Sequence, residues 1–124
     1  MLVKNISSIL IWSEDFRALS DWYKEKFELV VDEELNHPDD TGVLFLVGNT
    51  YLWIGQHSEV HGKNMDMHRI MYNFVVDSVQ STYETLVAKG VQFYAKPFKA
   101  PTMDKYFATF LDLDGNMGQI VGPK

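Results

Sequence analysis

The densest set of possible metal ligands in this sequence is a group of histidines in one polar segment. His57 and His61 lie four residues apart, a spacing that would place both imidazoles on one side of a helix, and His68 follows. Gly55, Gly62 and the lack of an apolar stripe argue against a helix in this segment. We therefore interpret these histidines as solvated residues of a linker.

Other metal-binding and catalytic motifs are incomplete or missing. Asp112, Asp114 and Asn116 share a turn with Gly115, but an EF-hand loop needs a further acidic or amide residue before its glycine and a late glutamate. The sequence contains no Gly-rich phosphate loop and no G-x-S-x-G motif. It therefore assigns no catalytic residue.

Aromatic residues suggest a binding surface instead. Trp12, Tyr51 and Trp53 fall on one face of their predicted strands, where a flat or cationic ligand would stack. Asn73 and Gln119 would add directed polar contacts. The competing interpretation is ordinary core packing, since buried aromatic side chains more often pack than bind. The residues predicted to line a ligand-binding cleft are Ser8, Leu10, Trp12, Tyr51, Trp53, Met71, Asn73, Met117 and Gln119.

Composition narrows the class of protein. A chain of 124 residues, 46% of them hydrophobic, predicts a single domain spanning 1–124 with a buried core. The net charge of −6 argues against a nucleic-acid partner, and no apolar run reaches the roughly 20 residues needed to cross a bilayer. The absence of cysteine excludes disulfides and thiolate metal sites, and the first residues lack the features of a signal peptide. We expect a cytoplasmic protein with neither a membrane nor a nucleic-acid partner.

Hydrophobic periodicity predicts a first module at about residues 3–56. Ser13-Glu14-Asp15 is typical of a helix cap, and Gly48-Asn49 is a strong signal for a two-residue hairpin. Residues 37–42 are predicted to form a loop. The predicted elements are a strand at 6–12, a helix at 15–26, and strands at 29–35, 43–47 and 50–56.

The same order of elements recurs at about residues 69–121, after a linker at 57–68. Asp77-Ser78 begins a helix, with Gln80 completing a capping box, and Gly90 is placed for a left-handed cap at its end. Pro97 should stop the strand that follows the helix. The predicted strands are 69–76, 91–94, 106–111 and 117–121. The chain therefore contains one βαβββ unit twice.

This order predicts an α+β fold of two βαβββ modules, each a curled mixed sheet with one flanking helix. Each sheet should bury one face under its helix, and the two other faces, side by side, would enclose the cleft. A register slip of one residue would exchange the two faces. The residues assigned to the helix side are Ile9, Ile11, Leu52, Ile54, Tyr72, Phe74 and Ile120.

The duplicated βαβββ order, the Trp22-Tyr23 pair in the first helix and the DxDGN turn at 112–116 resemble the vicinal oxygen chelate superfamily. That superfamily includes glyoxalase I, extradiol dioxygenases, fosfomycin-resistance transferases and bleomycin-resistance proteins. The resemblance extends over residues 3–121 and implies a glyoxalase-like fold and a homodimer. Glu28 departs from the pattern, because the family often has glycine just after the first helix.

The resemblance also implies metal ligands on the first and last strands of each module. The matching positions hold Ser8, Trp53, Met71 and Gln119. A divalent ion of this kind needs several imidazole or carboxylate donors. A hydroxyl, an indole and a thioether are poor substitutes, and only the amide oxygen of Gln119 could bind such an ion. We therefore expect no metal and no other cofactor, with Gln119 as a weak alternative ligand.

Two functions of different classes remain open. The first is a metal-free binding protein resembling the bleomycin-resistance branch, which would hold a small organic molecule in an aromatic cleft; a cationic ligand is compatible with the acidic charge. The second is a divalent-metal-dependent lyase, isomerase, transferase or dioxygenase, in which the ion acts as a Lewis acid on a chelated substrate. The shortage of metal ligands favours the first. The expected partners are a small-molecule ligand and a second copy of the chain.

Overall fold

The computed structural model describes residues 1–124, which form two compact units, Met1–Gly62 and Lys63–Lys124. We refer to these as unit 1 and unit 2. Their boundary falls inside the predicted linker, so each unit contains one predicted module. Neither helix of the chain has the length and apolar character needed to cross a membrane.

Both units contain the predicted order of elements. Unit 1 consists of β1 (Ser8–Ser13), α1 (Phe16–Phe27), β2 (Val30–His37), β3 (Asp40–Val47) and β4 (Thr50–Gln56). Unit 2 consists of β5 (Tyr72–Val75), α2 (Val79–Ala88), β6 (Gln92–Lys99), β7 (Tyr106–Leu111) and β8 (Met117–Gly122). The strand orders are β1-β4-β3-β2 and β5-β8-β7-β6, and only the β1–β4 and β5–β8 pairs are parallel. The predicted α+β architecture of two mixed sheets, each with one helix, is confirmed.

Helix α1 begins at a side-chain cap and ends at a residue with a left-handed backbone conformation. Asp15 is the N-cap, and its Oδ1 accepts a hydrogen bond from the N–H of Ala18 at 3.1 Å. Ser13 holds this cap in place, because its hydroxyl accepts from the N–H of Asp15 at 3.0 Å. The helix ends at Glu28, whose φ of 56° is left-handed. Glu28 stands where the family often has glycine, and its backbone conformation is one that favours glycine.

Replacing Glu28 by glycine should raise the free energy of unfolding by about 0.5–1 kcal/mol. The left-handed conformation costs an L-residue about 1–2 kcal/mol, and the added freedom of glycine in the unfolded chain offsets part of that gain. The matched control is Glu25→Gly inside α1, which should lower stability by about 1 kcal/mol. Urea denaturation of both variants checks the opposite signs; equal losses would contradict the prediction.

The face of the unit 1 sheet that α1 covers is identified by an ion pair. Arg17 of α1 lies 3.5 Å from the carboxylate of Glu34 on β2, and Glu34 is in register with Val43, Ile54 and, one strand further, Ile11. Val43 and Ile54 are both buried. The helix-side assignment is therefore confirmed for the predicted residues of this sheet, Ile9, Ile11, Leu52 and Ile54.

The N-cap of helix α2 falls on the second residue of the predicted pair Asp77-Ser78. Ser78 is the N-cap, and its hydroxyl accepts a hydrogen bond from the N–H three residues on, at 3.1 Å. The predicted capping box of Asp77 and Gln80 is therefore wrong, and the amide of Gln80 donates to Glu84 at 3.1 Å instead. The left-handed residue at the helix end is confirmed, since Gly90 has a φ of 88°.

Aromatic rings fill the space between α2 and its sheet. The ring of Tyr83 on α2 meets Phe93 edge to face, with centroids 4.7 Å apart. Phe93 is in register with Phe110, and Phe110 with Gly118 and then Tyr72, so this row faces the helix. The predicted helix-side residues of this sheet, Tyr72, Phe74 and Ile120, lie on this side and are confirmed.

Two breaks predicted from turn-forming residues are wrong. The loop expected over residues 37–42 is a tight turn at Pro38-Asp39, because β2 runs to His37 and β3 begins at Asp40. His37 closes the turn: its Nδ1 accepts from the N–H of Asp39 at 3.1 Å, and its carbonyl accepts from the hydroxyl of Thr41. Local side-chain hydrogen bonds thus replace a longer loop.

Pro97 also fails to end its strand. Strand β6 continues from Gln92 to Lys99, at the edge of the sheet. The register shifts between Ala95 and Phe98, so Pro97 lies at an irregularity where the ladder needs no N–H donor. Proline is tolerated here because an edge strand pairs on one side only.

Candidate functional site

The face of the unit 1 sheet turned away from α1 carries the first group of predicted site residues. Alternation along β1 and β4 places Ser8, Leu10, Trp12, Tyr51 and Trp53 on this face. The register aligns Ser8 with Tyr51 and Leu10 with Trp53, so these side chains are cross-strand neighbours. We call this surface the aromatic face.

A pair of glycines supports the indole of Trp53. Gly42 on β3 and Gly55 on β4 are register partners beside it. A Cβ added to Gly42 would lie 2.6 Å from Cζ2 of the indole, and one added to Gly55 would lie 2.7 Å from Cε2. Only glycine leaves room for the ring at these two positions. Trp53 is 6% exposed, so it underlies the aromatic face and presents little surface to a ligand.

Trp12 is the accessible indole of the aromatic face. It is 37% exposed, and its ring meets Trp53 nearly edge-on, with centroids 6.5 Å apart and planes at 73°. Tyr51 and Leu10 beside it are also exposed. Alternation had treated Trp12 and Trp53 as equivalent; the structure separates them into an accessible ring and a supporting ring.

His57 extends the aromatic face beyond the end of β4. Its imidazole lies 5.3 Å from the Trp12 ring, with the planes at 66°. Its Nδ1 accepts a hydrogen bond from the N–H of Glu59 at 3.1 Å, so the neutral ring carries its proton on Nε2. His57 is exposed, as the linker interpretation expects, yet that interpretation missed its contact with Trp12. The alternation of Trp53, Gly55 and His57 along one strand direction was the available signal.

The unit 2 sheet carries the second group of predicted site residues. Asn73 on β5 is in register with Gln119 on β8, which is in register with Thr109 on β7. The amide nitrogen of Gln119 donates to the hydroxyl of Thr109 at 3.0 Å. Thr109 was missed in the sequence, although it and Gln119 are equidistant from Asp114 in the connecting turn. Met117, two residues before Gln119, is buried.

Met71 lies outside the strand that was predicted to carry it. The strand expected from Arg69 begins only at Tyr72, because Asp66 holds Arg69 in a local turn. The Nε of Arg69 donates to the carboxylate of Asp66 at 2.7 Å, and its N–H donates to the Asp66 carbonyl at 3.3 Å. Met71 is half-exposed in the extended segment between that turn and β5.

Comparison with known proteins agrees with this arrangement. The family model described as the Glyoxalase/Bleomycin resistance protein/Dioxygenase superfamily matches residues 5–120. The chain belongs to this superfamily. No curated protein matches the sequence.

Several solved structures share the fold at low sequence identity. The glyoxalase family protein from Enterococcus faecalis is 19% identical with a TM-score of 0.80, covering 98% of this chain and 100% of its own. A glyoxalase/bleomycin resistance protein/dioxygenase family enzyme from Burkholderia phytofirmans PsJN is 21% identical with a TM-score of 0.74, covering 95% and 98%. The protein SMU.1112c is 17% identical with a TM-score of 0.84, covering 97% and 99%. At these identities the likeness shows the fold alone.

The residues of this superfamily member do not fit a divalent metal ion at the four matched positions. Ser8, Trp53 and Met71 offer no imidazole or carboxylate, and the Trp53 indole lies over Gly42 and Gly55. Gln119 alone could offer an amide oxygen, because the hydrogen bond to Thr109 uses its amide nitrogen, and one such oxygen is too few for a divalent ion. No three His, Cys, Asp or Glu side chains anywhere in residues 1–124 are grouped so that they could hold a metal ion.

Proposed function

We propose that this superfamily member binds a small, flat organic molecule against the aromatic face of unit 1, without a metal ion. The observation that carries the proposal is the environment of Trp12. Its ring is accessible, and it packs against the Trp53 and His57 rings, with centroids 6.5 and 5.3 Å away. An exposed indole that is already held in one orientation loses little conformational entropy when a ligand stacks on it.

The charge of unit 1 supports a cationic ligand. Residues 1–62 hold four Lys or Arg against eleven Asp or Glu, a net charge of −7, whereas residues 63–124 hold seven against six, a net charge of +1. The acidic excess of the whole chain therefore lies in the unit that carries the aromatic face. A cation over an indole is attracted by the ring and also by the surrounding field.

A matched pair of probes tests this proposal: N-methylacridinium, which is cationic, and acridine, which is neutral near pH 8. We expect the cation to bind about fivefold more tightly, as a cation–π contact at a partly exposed site would produce. Trp12→Ala should weaken binding of the cation by more than about 1 kcal/mol, and Trp12→Phe by less. Binding is measured by quenching of tryptophan fluorescence and by calorimetry.

Trp22→Phe is the control, because Trp22 lies on α1 and packs against Tyr23 and Phe27. This variant should retain full affinity. A Trp12→Ala variant with the affinity of the unmodified protein would contradict the assignment of the aromatic face. Tight stoichiometric binding of Zn²⁺, Ni²⁺, Mn²⁺ or Fe²⁺ to chelator-treated protein, lost in Gln119→Ala, would favour the metal-dependent alternative.

A further inference from the structure

The two sheets have equivalent outer strands. In the orders β1-β4-β3-β2 and β5-β8-β7-β6, strand β2 ends one sheet and β6 ends the other, and each pairs with a single neighbour within its sheet. Both strands have eight residues, and both contain a register shift. They are therefore the same structural element in the two repeats.

These equivalent strands carry opposite charges. Asp32 and Glu33 are exposed acidic residues of β2, next to Glu34, which pairs with Arg17, and Lys96 and Lys99 are exposed residues of β6. The other end strands, β1 and β5, have no charged residue. A charged edge normally discourages association between sheets, because like edges repel. Here the signs differ, so repulsion applies to β2 against β2 and to β6 against β6, but not to β2 against β6.

Apolar surface accompanies the charges on β6. Tyr94 is 57% exposed, and Phe98 is 41% exposed while stacked on Phe107 with centroids 6.0 Å apart. The bulges and the missing N–H of Pro97 prevent continuous main-chain pairing along this edge. A partner would therefore contact β6 through side chains, namely the two lysines and the rings of Tyr94 and Phe98.

We propose that β6 of one copy of this chain docks against β2 of a second copy. Opposite charges favour β2 against β6, whereas like charges disfavour β2 against β2 and β6 against β6. Electrostatics therefore determine which edge is bound and also strengthen the binding. In a two-fold dimer this contact is reciprocal, with β2 of each copy against β6 of the other. This specifies the surface through which the homodimer expected from the sequence associates.

A charge-swap experiment tests the docking surface by sedimentation velocity. The first variant is Lys96→Glu/Lys99→Glu, and the second is Asp32→Lys/Glu33→Lys. Each variant alone has net charges of the same sign on β2 and β6. Each should therefore self-associate at least tenfold more weakly than the unmodified protein. Mixed together, they place opposite charges on facing edges again, and a heterodimer should form with association restored to within about threefold.

The matched control is Lys4→Glu/Lys63→Glu, which changes the net charge as much as the first variant but at exposed positions outside both strands. It should associate like the unmodified protein. The unmodified dimer should also weaken as salt rises from 0.1 M to 1 M, where the Debye length falls from about 10 Å to about 3 Å. Circular dichroism verifies that each variant is folded. A chain that is monomeric at low salt, or two reversed variants that fail to associate when mixed, would overturn the proposal.

Discussion

Gly55→Ala should lower the free energy of unfolding by about 2–3 kcal/mol, a large effect for the addition of one methyl group. The new Cβ would overlap the Nε1 of Trp53 and lie 3.0 Å from Cζ3 of Trp12. The indole of Trp53 cannot tilt away freely, because it also lies close to the backbone of Gly42, and a backbone cannot move aside as a flexible side chain could. Chemical denaturation measures the loss, and the same shift should weaken probe binding at Trp12.

The steric origin of this loss is tested by a double-mutant cycle with Trp53→Leu. The smaller side chain leaves room for a methyl group at Gly55, so Gly55→Ala should cost less in that background by more than about 1 kcal/mol. Gly48→Ala is a second comparison, because a Cβ there meets nothing within 4 Å and only the φ of 59° opposes it. An equal cost of Gly55→Ala in both Trp53 backgrounds would mean that the backbone, and not the indole, limits this position.

The fold was predictable because local signals and alternation agree along both repeats. Gly48-Asn49 forms the predicted hairpin turn between β3 and β4, and Gly90 has the predicted left-handed conformation. Alternation placed Leu52 and Ile54 on the helix side correctly because their strands are short and regular over this stretch. A residue's face depends only on the parity of its position, which a sequence records directly.

Exposure within a face was not predictable in the same way. Trp12 and Trp53 share a face, but Trp53 is covered because the glycines at positions 42 and 55 let it lie flat against the sheet. That arrangement depends on which residues are register partners across three strands. Pairing of this kind is set by bulges and turns such as Pro38-Asp39, which the sequence placed inside a longer loop. The contact of His57 with Trp12 was also missed, because the polar linker has no hydrophobic periodicity from which the direction of its side chains could be predicted.

The polar row of unit 2 shows the same limit for site chemistry. Gln119 was the one matched position expected to be able to bind a metal ion, through its amide oxygen, and the sequence did not predict its hydrogen-bond partner. In the structure its amide donates to Thr109, which is buried on the adjacent strand. A hydrogen bond between side chains ten residues apart follows from hairpin register, and the length of the turn at 112–116 decides that register.

Asp112→Ala should lower the free energy of unfolding by about 3 kcal/mol, because this buried carboxylate organises the turn that sets the register of β7 and β8. Its Oδ1 accepts from the N–H groups of Asp114 and Asn116, and its Oδ2 accepts from the Asn116 side chain, each at 2.9 Å. Hydrogen bonds to a charged acceptor contribute about 1.5–3 kcal/mol each and are not additive within one network.

Comparison variants separate this network from general effects of removing charge. Asp112→Asn keeps one oxygen acceptor and should lose about half as much stability, whereas Asp104→Ala, in an exposed loop, should stay within about 0.5 kcal/mol of the unmodified protein. Because Asn116 also accepts from the Asn64 side chain at 2.9 Å, loss of the Asp112 carboxylate should loosen that contact as well. Hydrogen exchange at the Asn64 N–H, which donates to the carbonyl of Asp114 at 2.8 Å, would then rise together with exchange at Asn116. Unchanged protection at Asn64 in Asp112→Ala would show that the turn keeps its shape without the carboxylate, and that the hairpin register has another origin.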